Sequence, residues 1–434
     1  MAGEWRDVAL EDVADELTVG FVGPMASEYV DSGIPFLRSM NVDPLRINRN
    51  DLKFITPEFH QRIRKSRLTP GDVVIVRTGK PGACSVVPDW LADANCSDLV
   101  IVRCGTQLDN RFLAYYVNTV ACNHIAAHLV GAVQQHFNVG SARTLRLNLP
   151  PLREQKAIAS VLGALDDLIE VNRETNEALE EMARALFKSW FVDFDPVRAK
   201  LEGRPPAGMD EATAALFPDH FQDSELGQIP KGWQAKPLSK NIELLSGGTP
   251  KTSEPSYWDG EIPWYSVRDA PSDSDVWVID TDRKVTPSGI SNSATSILPA
   301  RTTIISARGT VGKLALVGRP MAMNQSCYGV RGAAGYRELF TYFSLKEAVE
   351  ELQQNAHGSV FDTITRDTFD TLSFASPPIT IADAFEALVE SLLETILANV
   401  NESRDLAALR DTLLPKLLSG EVSVAKAGLS PKTD

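Results

Sequence analysis

No run of about 18 consecutive apolar residues occurs in this sequence, so it offers no transmembrane helix. Its start, Met1-Ala2-Gly3-Glu4-Trp5, lacks the basic stretch followed by an apolar one that marks a secretory leader, and a cytoplasmic location is the expectation. Cysteine is scarce: Cys84, Cys96, Cys104, Cys122 and Cys327 are an odd number with no C-x-x-C pair. That fits reduced thiols and argues against a disulfide framework or a zinc site. The six histidines show no ligand spacing, so no metal is expected. Positive charge is also short, with a net charge of −14. What is present is ordinary for a folded chain, with 43 % hydrophobic and 23 % charged residues over 434 positions, enough for two or three domains.

A net negative charge argues against nucleic acid, because phosphate neutralisation needs Lys and Arg. Its distribution softens that objection. Residues 1–149 carry 15 basic and 16 acidic groups, 150–231 carry 9 and 16, 232–376 carry 14 and 16, and 377–434 carry 5 and 9. The excess lies in two segments that read as helix and linker. The other two blocks are nearly neutral, and a neutral block can present one basic face.

The chain repeats itself at a period of about 228 residues. Trp5 matches Trp233, and Ile34-Pro35-Phe36 matches Ile262-Pro263-Trp264. Leu68-Thr69-Pro70 before Val73-Val74-Ile75 matches Leu298-Pro299 before Thr303-Ile304-Ile305. Thr78-Gly79-Lys80-Pro81-Gly82 matches Arg308-Gly309-Thr310-Val311-Gly312, and Asn95-Cys96-Ser97 matches Asn324-Gln325-Ser326. Pro150-Pro151-Leu152 matches Pro377-Pro378-Ile379 at an offset of 227 that holds for some forty residues. The shared order and nearly constant offset carry the argument. Each half opens with a block rich in Gly, Pro, Asn and short β-branched runs, which reads as short strands and turns.

After each Pro-Pro comes a long helical pattern. Ile158, Leu162, Leu165, Ile169, Asn172, Asn176, Leu179, Ala183, Leu186 and Trp190 alternate four and three apart. So do Phe385, Val389, Leu392, Ile396, Asn399, Ser403, Leu406, Arg410, Leu413 and Leu417. A 3.5-residue period is the signature of a coiled-coil seam. The expected fold is α+β: two similar globular domains separated by two long helices paired as an antiparallel coiled coil, with pseudo-two-fold symmetry. Asn172 and Asn399 fall at equivalent central positions. Their amides are expected to lie close across the seam and fix its register, the alternative being a tolerated Asn that touches water. The expected seam residues are Leu165, Ile169, Asn172, Leu179, Leu392, Ile396, Asn399 and Leu406. The expected boundaries are domain 1 at 1–149, helix 1 at 150–191, a linker at 192–231, domain 2 at 232–376, helix 2 at 377–420 and a flexible tail at 421–434.

Several segments resemble the specificity subunits of type I restriction-modification systems. Leu149-Pro150-Pro151-Leu152-Arg153-Glu154-Gln155-Lys156-Ala157-Ile158-Ala159 resembles the family's helix start, and Leu165-Asp166-Asp167-Leu168-Ile169 its middle. Phe191-Val192-Asp193-Phe194-Asp195-Pro196-Val197-Arg198-Ala199-Lys200, Phe217-Pro218-Asp219 and the stretch from Ser224 to Trp233 resemble its central linker. Leu413-Leu414-Pro415-Lys416-Leu417-Leu418-Ser419-Gly420-Glu421-Val422 resembles its close. The second helix start departs from the pattern, since Ile379-Thr380-Ile381-Ala382-Asp383 lacks the Arg-Glu-Gln run. The resemblance implies a non-catalytic subunit whose two domains each read part of a split, asymmetric target in double-stranded DNA. It implies that the helices set the gap and dock two methyltransferase subunits, which carry S-adenosylmethionine and methylate adenine N6. It also leaves room for a restriction subunit that cuts DNA. No cofactor is expected on the chain itself.

Arg, Lys, Asn and Gln read base edges best, while small hydroxyls and cations take phosphates. The candidate DNA-binding residues are Arg77, Thr78 and Lys80 in one glycine-cornered turn, and Arg308, Thr310 and Lys313 in its counterpart. Asn95 and Asn324 sit at matched positions, and Gln134, Gln135 and Ser359 in loop-like stretches. A cluster of Arg62, Arg64, Lys65 and Arg67 is a candidate phosphate grip. For each, a plain turn or a solvated charged face is the alternative. Neither turn fits G-x-x-x-x-G-K-[ST]. A self-contained methyltransferase would need an Asn/Asp-Pro-Pro-aromatic tetrad, which none of the three Pro-Pro sites provides. A scaffold without DNA contact is the remaining alternative.

Overall fold

The computed structural model describes residues 5–127, 137–271, 275–355 and 363–424. The chain divides into two compact units, Met1–Leu168 with Asp405–Asp434, and Ile169–Arg404. Each combines a strand-rich domain with parts of both long helices.

In the first unit, strand Arg6–Ala9 pairs antiparallel with Arg146–Leu149 and closes the domain. A four-stranded sheet runs in the order Cys84–Val86, Val73–Val76, Leu99–Arg103, Glu16–Val19. Its central strands are apolar from Val73 to Val76 and from Leu99 to Val102 because both faces are covered there. Val73, Ile75, Val100 and Val102 point into one core and Val74, Val76, Leu99 and Ile101 into another, the two-residue period of a strand. A second sheet contains the parallel contact Phe36 to Asn95.

The second unit repeats these hydrogen bonds. Gln234–Pro237 pairs antiparallel with Ser373–Ser376. Leu238 N–H donates to Leu372 O at 2.8 Å, just as Leu10 N–H donates to Leu145 O at 2.9 Å. The strands Ile242–Ser246, Cys327–Gly332, Thr303–Ser306 and Leu314–Val317 lie side by side in that order. Trp264 meets Ala322 in the same parallel contact that Phe36 makes with Asn95. The duplication read from scattered sequence matches is therefore a duplication of backbone pairing.

The long helices are Leu152–Phe191 and Ile379–Leu418, each 40 residues or about 60 Å of helix. Both start directly after Pro-Pro, whose last carbonyl accepts from the N–H groups of Glu154 and Gln155 in the first helix and of Ile381 and Ala382 in the second. Every position of the two expected frames is buried or partly buried. In the first unit Ile158 and Leu162 share an apolar cluster with Leu414, Leu417 and Leu418. In the second, Ala183, Phe187 and Trp190 share one with Phe385, Val389, Leu393 and Ile396. Within each unit, early residues of one helix meet late residues of the other, which is antiparallel pairing.

The expected meeting of Asn172 with Asn399 is corrected. Asn172 Nδ2 donates to Glu402 Oε2 at 3.0 Å and to Ser403 Oγ at 3.3 Å. Asn399 Nδ2 donates to Asn176 Oδ1 at 2.9 Å. At the repeat offset of 227, Asn172 corresponds to Asn399 and Asn176 to Ser403, so the two contacts are one contact seen twice. A seam residue meets its own counterpart only on the local two-fold axis. Here that axis passes between the 172 and 176 levels of the first helix.

The linker contains helices Asp195–Leu201 and Glu211–Leu216 and a hairpin of Phe221–Ser224 with Gly227–Pro230. It packs through Val197, Phe217 and Ile229 into the cluster around Trp233. The tail is also corrected. Gly420 closes the second helix with φ +76° and lies against the Trp5 ring, and Val424 is buried in the first unit's core. Residues 421–424 are thus packed, and 425–434 lie outside the described residues. Among the described residues no helix is long and apolar enough to cross a membrane.

Candidate nucleic-acid interface

Each domain carries the same hairpin. Val73–Val76 turns back into Cys84–Val86, and Thr303–Ser306 into Leu314–Val317. The loops are closed by matching bonds: Gly82 N–H to Val76 O and Gly312 N–H to Ser306 O, both at 2.9 Å. Gly79 and Gly309 have φ of +84° and +82°, and Gly82 and Gly312 have +96° and +86°. These left-handed positions favour glycine, because a Cβ there crowds the following carbonyl. A side chain on Gly82 would strike Ile125, and one on Gly312 would strike Val349. Both loops are therefore held at their second glycine against a helical segment, while the first glycine lies in open space.

The side chains on this shared frame differ. In domain 1, Arg77 does not face outward as expected. Its Nη1 pairs with Asp98 at 2.6 Å, its Nε donates to Phe137 O at 3.2 Å, and the side chain is only 16 % exposed. Thr78 Oγ1 donates to the same carboxylate at 3.0 Å. Asp98 itself sits at φ +51°, a conformation Asp tolerates. Arg77 and Thr78 thus fasten the base of the loop. Lys80 is 73 % exposed, with one solvated contact to Asp43 at 3.2 Å, a pair worth roughly 0–1 kcal/mol. In domain 2, Arg308 and Thr310 are exposed at the equivalent tip, and Lys313 is half-buried. Ser306 Oγ, the counterpart of no polar group in domain 1, accepts from Lys313 N–H at 2.8 Å.

Asn95 is corrected as a DNA contact. It is 0 % exposed, and its amide reaches His60 Nδ1 at 3.3 Å and Ile63 O at 3.4 Å. Its position in the parallel strand pair puts the side chain inside. Asn324 is half-buried, and its Oδ1 accepts from Ser326 N–H at 3.0 Å, so it shapes a turn. In the basic cluster, Arg62 pairs with Glu28 and Arg67 with Asp93, while Arg64 and Lys65 are exposed on a 3-10 turn. Gln134, Gln135 and Ser359 lie outside the described residues.

Sequence reasoning assigned no role to the groups that seat each domain on its helix. Gln155 and Glu386 are both 1 % exposed. Gln155 Oε1 accepts from Asp109 N–H at 2.9 Å, and its Nε2 donates to Pro150 O at 2.9 Å and Gln107 O at 3.1 Å. Glu386 accepts from Phe340 N–H at 2.7 Å and Leu339 N–H at 3.2 Å. Around them, Arg111 lies over Gly163 and pairs with Asp167 through both terminal nitrogens, at 3.1 and 3.2 Å. Gly163, the odd glycine in the first helix, leaves room for that guanidinium. Tyr115 donates to Asp166, which also takes Arg410 at 2.6 Å. Burial and this neighbouring carboxylate push the Tyr115 hydroxyl well above the ordinary tyrosine range.

The described cysteines Cys84, Cys96, Cys104 and Cys327 are free and buried, and burial pushes the Cys104 and Cys327 thiols up to about 12. Among the described residues no group of three His, Cys, Asp or Glu side chains is placed to hold a metal ion.

Two copies of one mixed domain, each seated on a long helix and each carrying the same hairpin frame with different side chains, define a duplicated two-domain protein. The family model of the type I restriction modification DNA specificity domain matches residues 3–181 and 230–402, and the chain belongs to that family. Such subunits recognise DNA and are not catalytic, and this chain is accordingly a DNA-recognition component and not an enzyme. It is 28 % identical over 323 residues to the type I restriction enzyme HindI specificity subunit of Haemophilus influenzae, covering 65 % of this chain and 70 % of that one. It is 27 % identical over 438 residues to the type I restriction enzyme MjaIX specificity subunit of Methanocaldococcus jannaschii, covering 97 % and 94 %. Its fold matches the crystal structure of the type I restriction-modification system S subunit from M. genitalium with a TM-score of 0.53, at 16 % identity, over 95 % of this chain and 96 % of that one.

Proposed function

We propose that each domain reads one half of a bipartite, asymmetric DNA site through the tip of its hairpin. Lys80 acts in the first domain, and Arg308 and Thr310 in the second. The observation that carries this reading is the pairing of an identical backbone frame with different side chains. Thr78, Lys80 and Ala83 stand where Arg308, Thr310 and Lys313 stand in the second copy. A duplicated frame presents each tip in the same way, and different tips select different bases. Arg308 suits the two acceptors of guanine in the major groove, a contact worth about 1–3 kcal/mol of discrimination. Gln134, Gln135 and Ser359 remain candidates for the same role.

The long helices set the gap between the half-sites and dock two methyltransferase subunits, which bind S-adenosylmethionine and methylate adenine N6; a restriction subunit joins for cleavage. With a net charge of −14, the chain leaves much of the phosphate contact to these partners. The test is methylome sequencing of cells expressing the chain with its methyltransferase subunit. Lys80→Ala is expected to relax one half-site and Arg308→Ala the other. Relaxation of the same half by both variants would refute the assignment.

A further inference from the structure

Each domain contains one helix that follows its central strand: Asn110–Thr119 after Leu99–Arg103, and Glu338–Asn355 after Cys327–Gly332. The first N–H groups of any helix lack intrahelical partners. Here both helices are met at that end by a buried side chain from the long helix that follows. Gln155 takes the N–H of Asp109, the N-cap residue, and Glu386 takes those of Leu339 and Phe340. At the repeat offset of 227, Gln155 corresponds to Ala382 and Glu386 to Ala159. The junction is therefore kept in both halves but made from a different turn of the helix. One half uses a neutral amide and the other a carboxylate, which suits the positive end of a helix dipole.

Resting on the reading of the two domains as DNA readers, we infer that Gln155 and Glu386 are positioning residues for half-site selection, each fixing the orientation of its own domain on its own helix. The bonds go to backbone atoms at the root of the domain, so a side chain lost there leaves the reading tips intact and alters how they are aimed. The surrounding surface pairs hold orientation less firmly. Arg111 and Asp167 are 49 % and 61 % exposed, and solvated pairs of this kind contribute little. Because the two junctions use non-equivalent residues, each governs one half-site alone.

The experiment reconstitutes the full chain with its methyltransferase subunit and scores methylation on duplex libraries in which each half-site and the spacer length are randomised. Gln155→Ala is expected to lower discrimination, or mix spacer lengths, only for the half read by domain 1, by roughly tenfold. Glu386→Ala is expected to do the same only for the half read by domain 2. The near-isosteric Glu386→Gln, which preserves packing and one acceptor, should affect the same half more weakly, whereas Gln155→Glu sets a carboxylate against the Pro150 and Gln107 carbonyls and should relax the domain 1 half at least as much as Gln155→Ala. A purely structural role would lower total methylation and melting temperature while leaving the accepted bases and spacer unchanged. That result, or relaxation of both halves together in any of the four variants, would overturn the inference. A wild-type complex with no split target would instead refute the underlying reading.

Discussion

Asn399 donates its side-chain amide to Asn176 Oδ1 at 2.9 Å, and Asn176 is 2 % exposed. A largely buried amide pair in the seam costs stability but penalises every register that separates the two amides. Asn176→Leu leaves Asn399 without its acceptor, and a loss of about 1–2 kcal/mol is expected. The double variant Asn176→Leu with Asn399→Leu removes both polar groups and is expected to recover most of that loss. Thermal melting of the two single variants and the double gives the coupling directly. Additive losses would show that the pair is not coupled.

The seam varies in depth. Ile396 is 0 % exposed inside the second unit's cluster, whereas Leu165 in the first unit is only partly buried. A carboxylate at a dry position costs more than one that reaches water. Ile396→Asp is therefore expected to destabilise the chain by more than about 3 kcal/mol, and Leu165→Asp by less. Urea unfolding of both variants checks the order. Equal losses, or none, would contradict the packing described.

Glu386 links the second junction to pH. Burial raises its pKa, opposed by the N–H groups of Phe340 and Leu339 and by Arg337 at 3.8 Å, and assisted by the negative charge of Glu390. Arg337 and Arg301 both also contact Glu390. Because the folded pKa lies above the unfolded one, the folded state holds this proton more tightly. The group's contribution to stability is therefore most favourable at low pH and declines as the pH rises through the folded pKa. Relative to Glu386→Gln, wild type should gain melting temperature as the pH is lowered from neutrality toward the ordinary carboxylate range. A gap that stays constant or moves the other way would show that burial does not dominate at this carboxylate.

Much of this was legible in the sequence because periodicity reports burial. Every position of the 3.5-residue frames is buried or partly buried, although Phe187, Leu393, Leu414 and Leu418 join the same clusters from outside the frames, and the nearly constant offset exposed a duplication that the main strand pairings repeat. What was not legible depends on partners far apart in sequence. Arg77 looks like a loop cation until Asp98 folds beneath it, and Asn95 looks like a polar turn residue until a parallel strand turns it inward. The Asn register failed for a different reason. Equivalent positions mark a two-fold relation but not where its axis falls, and one helical turn separates the two. Gln155 lies in the segment that opens the first long helix, yet its partner Asp109 is 46 residues earlier. Glu386 had no sequence signal, because its counterpart in the first half is Ala159.

The most direct measurement exchanges residues 1–149 for the equivalent domain of another family member and sequences the methylome of cells carrying the hybrid with its methyltransferase subunit. Independent readers on a shared helical frame predict that one half of the methylated site changes while the other half keeps every base. A hybrid that alters both halves, or neither, would contradict the account.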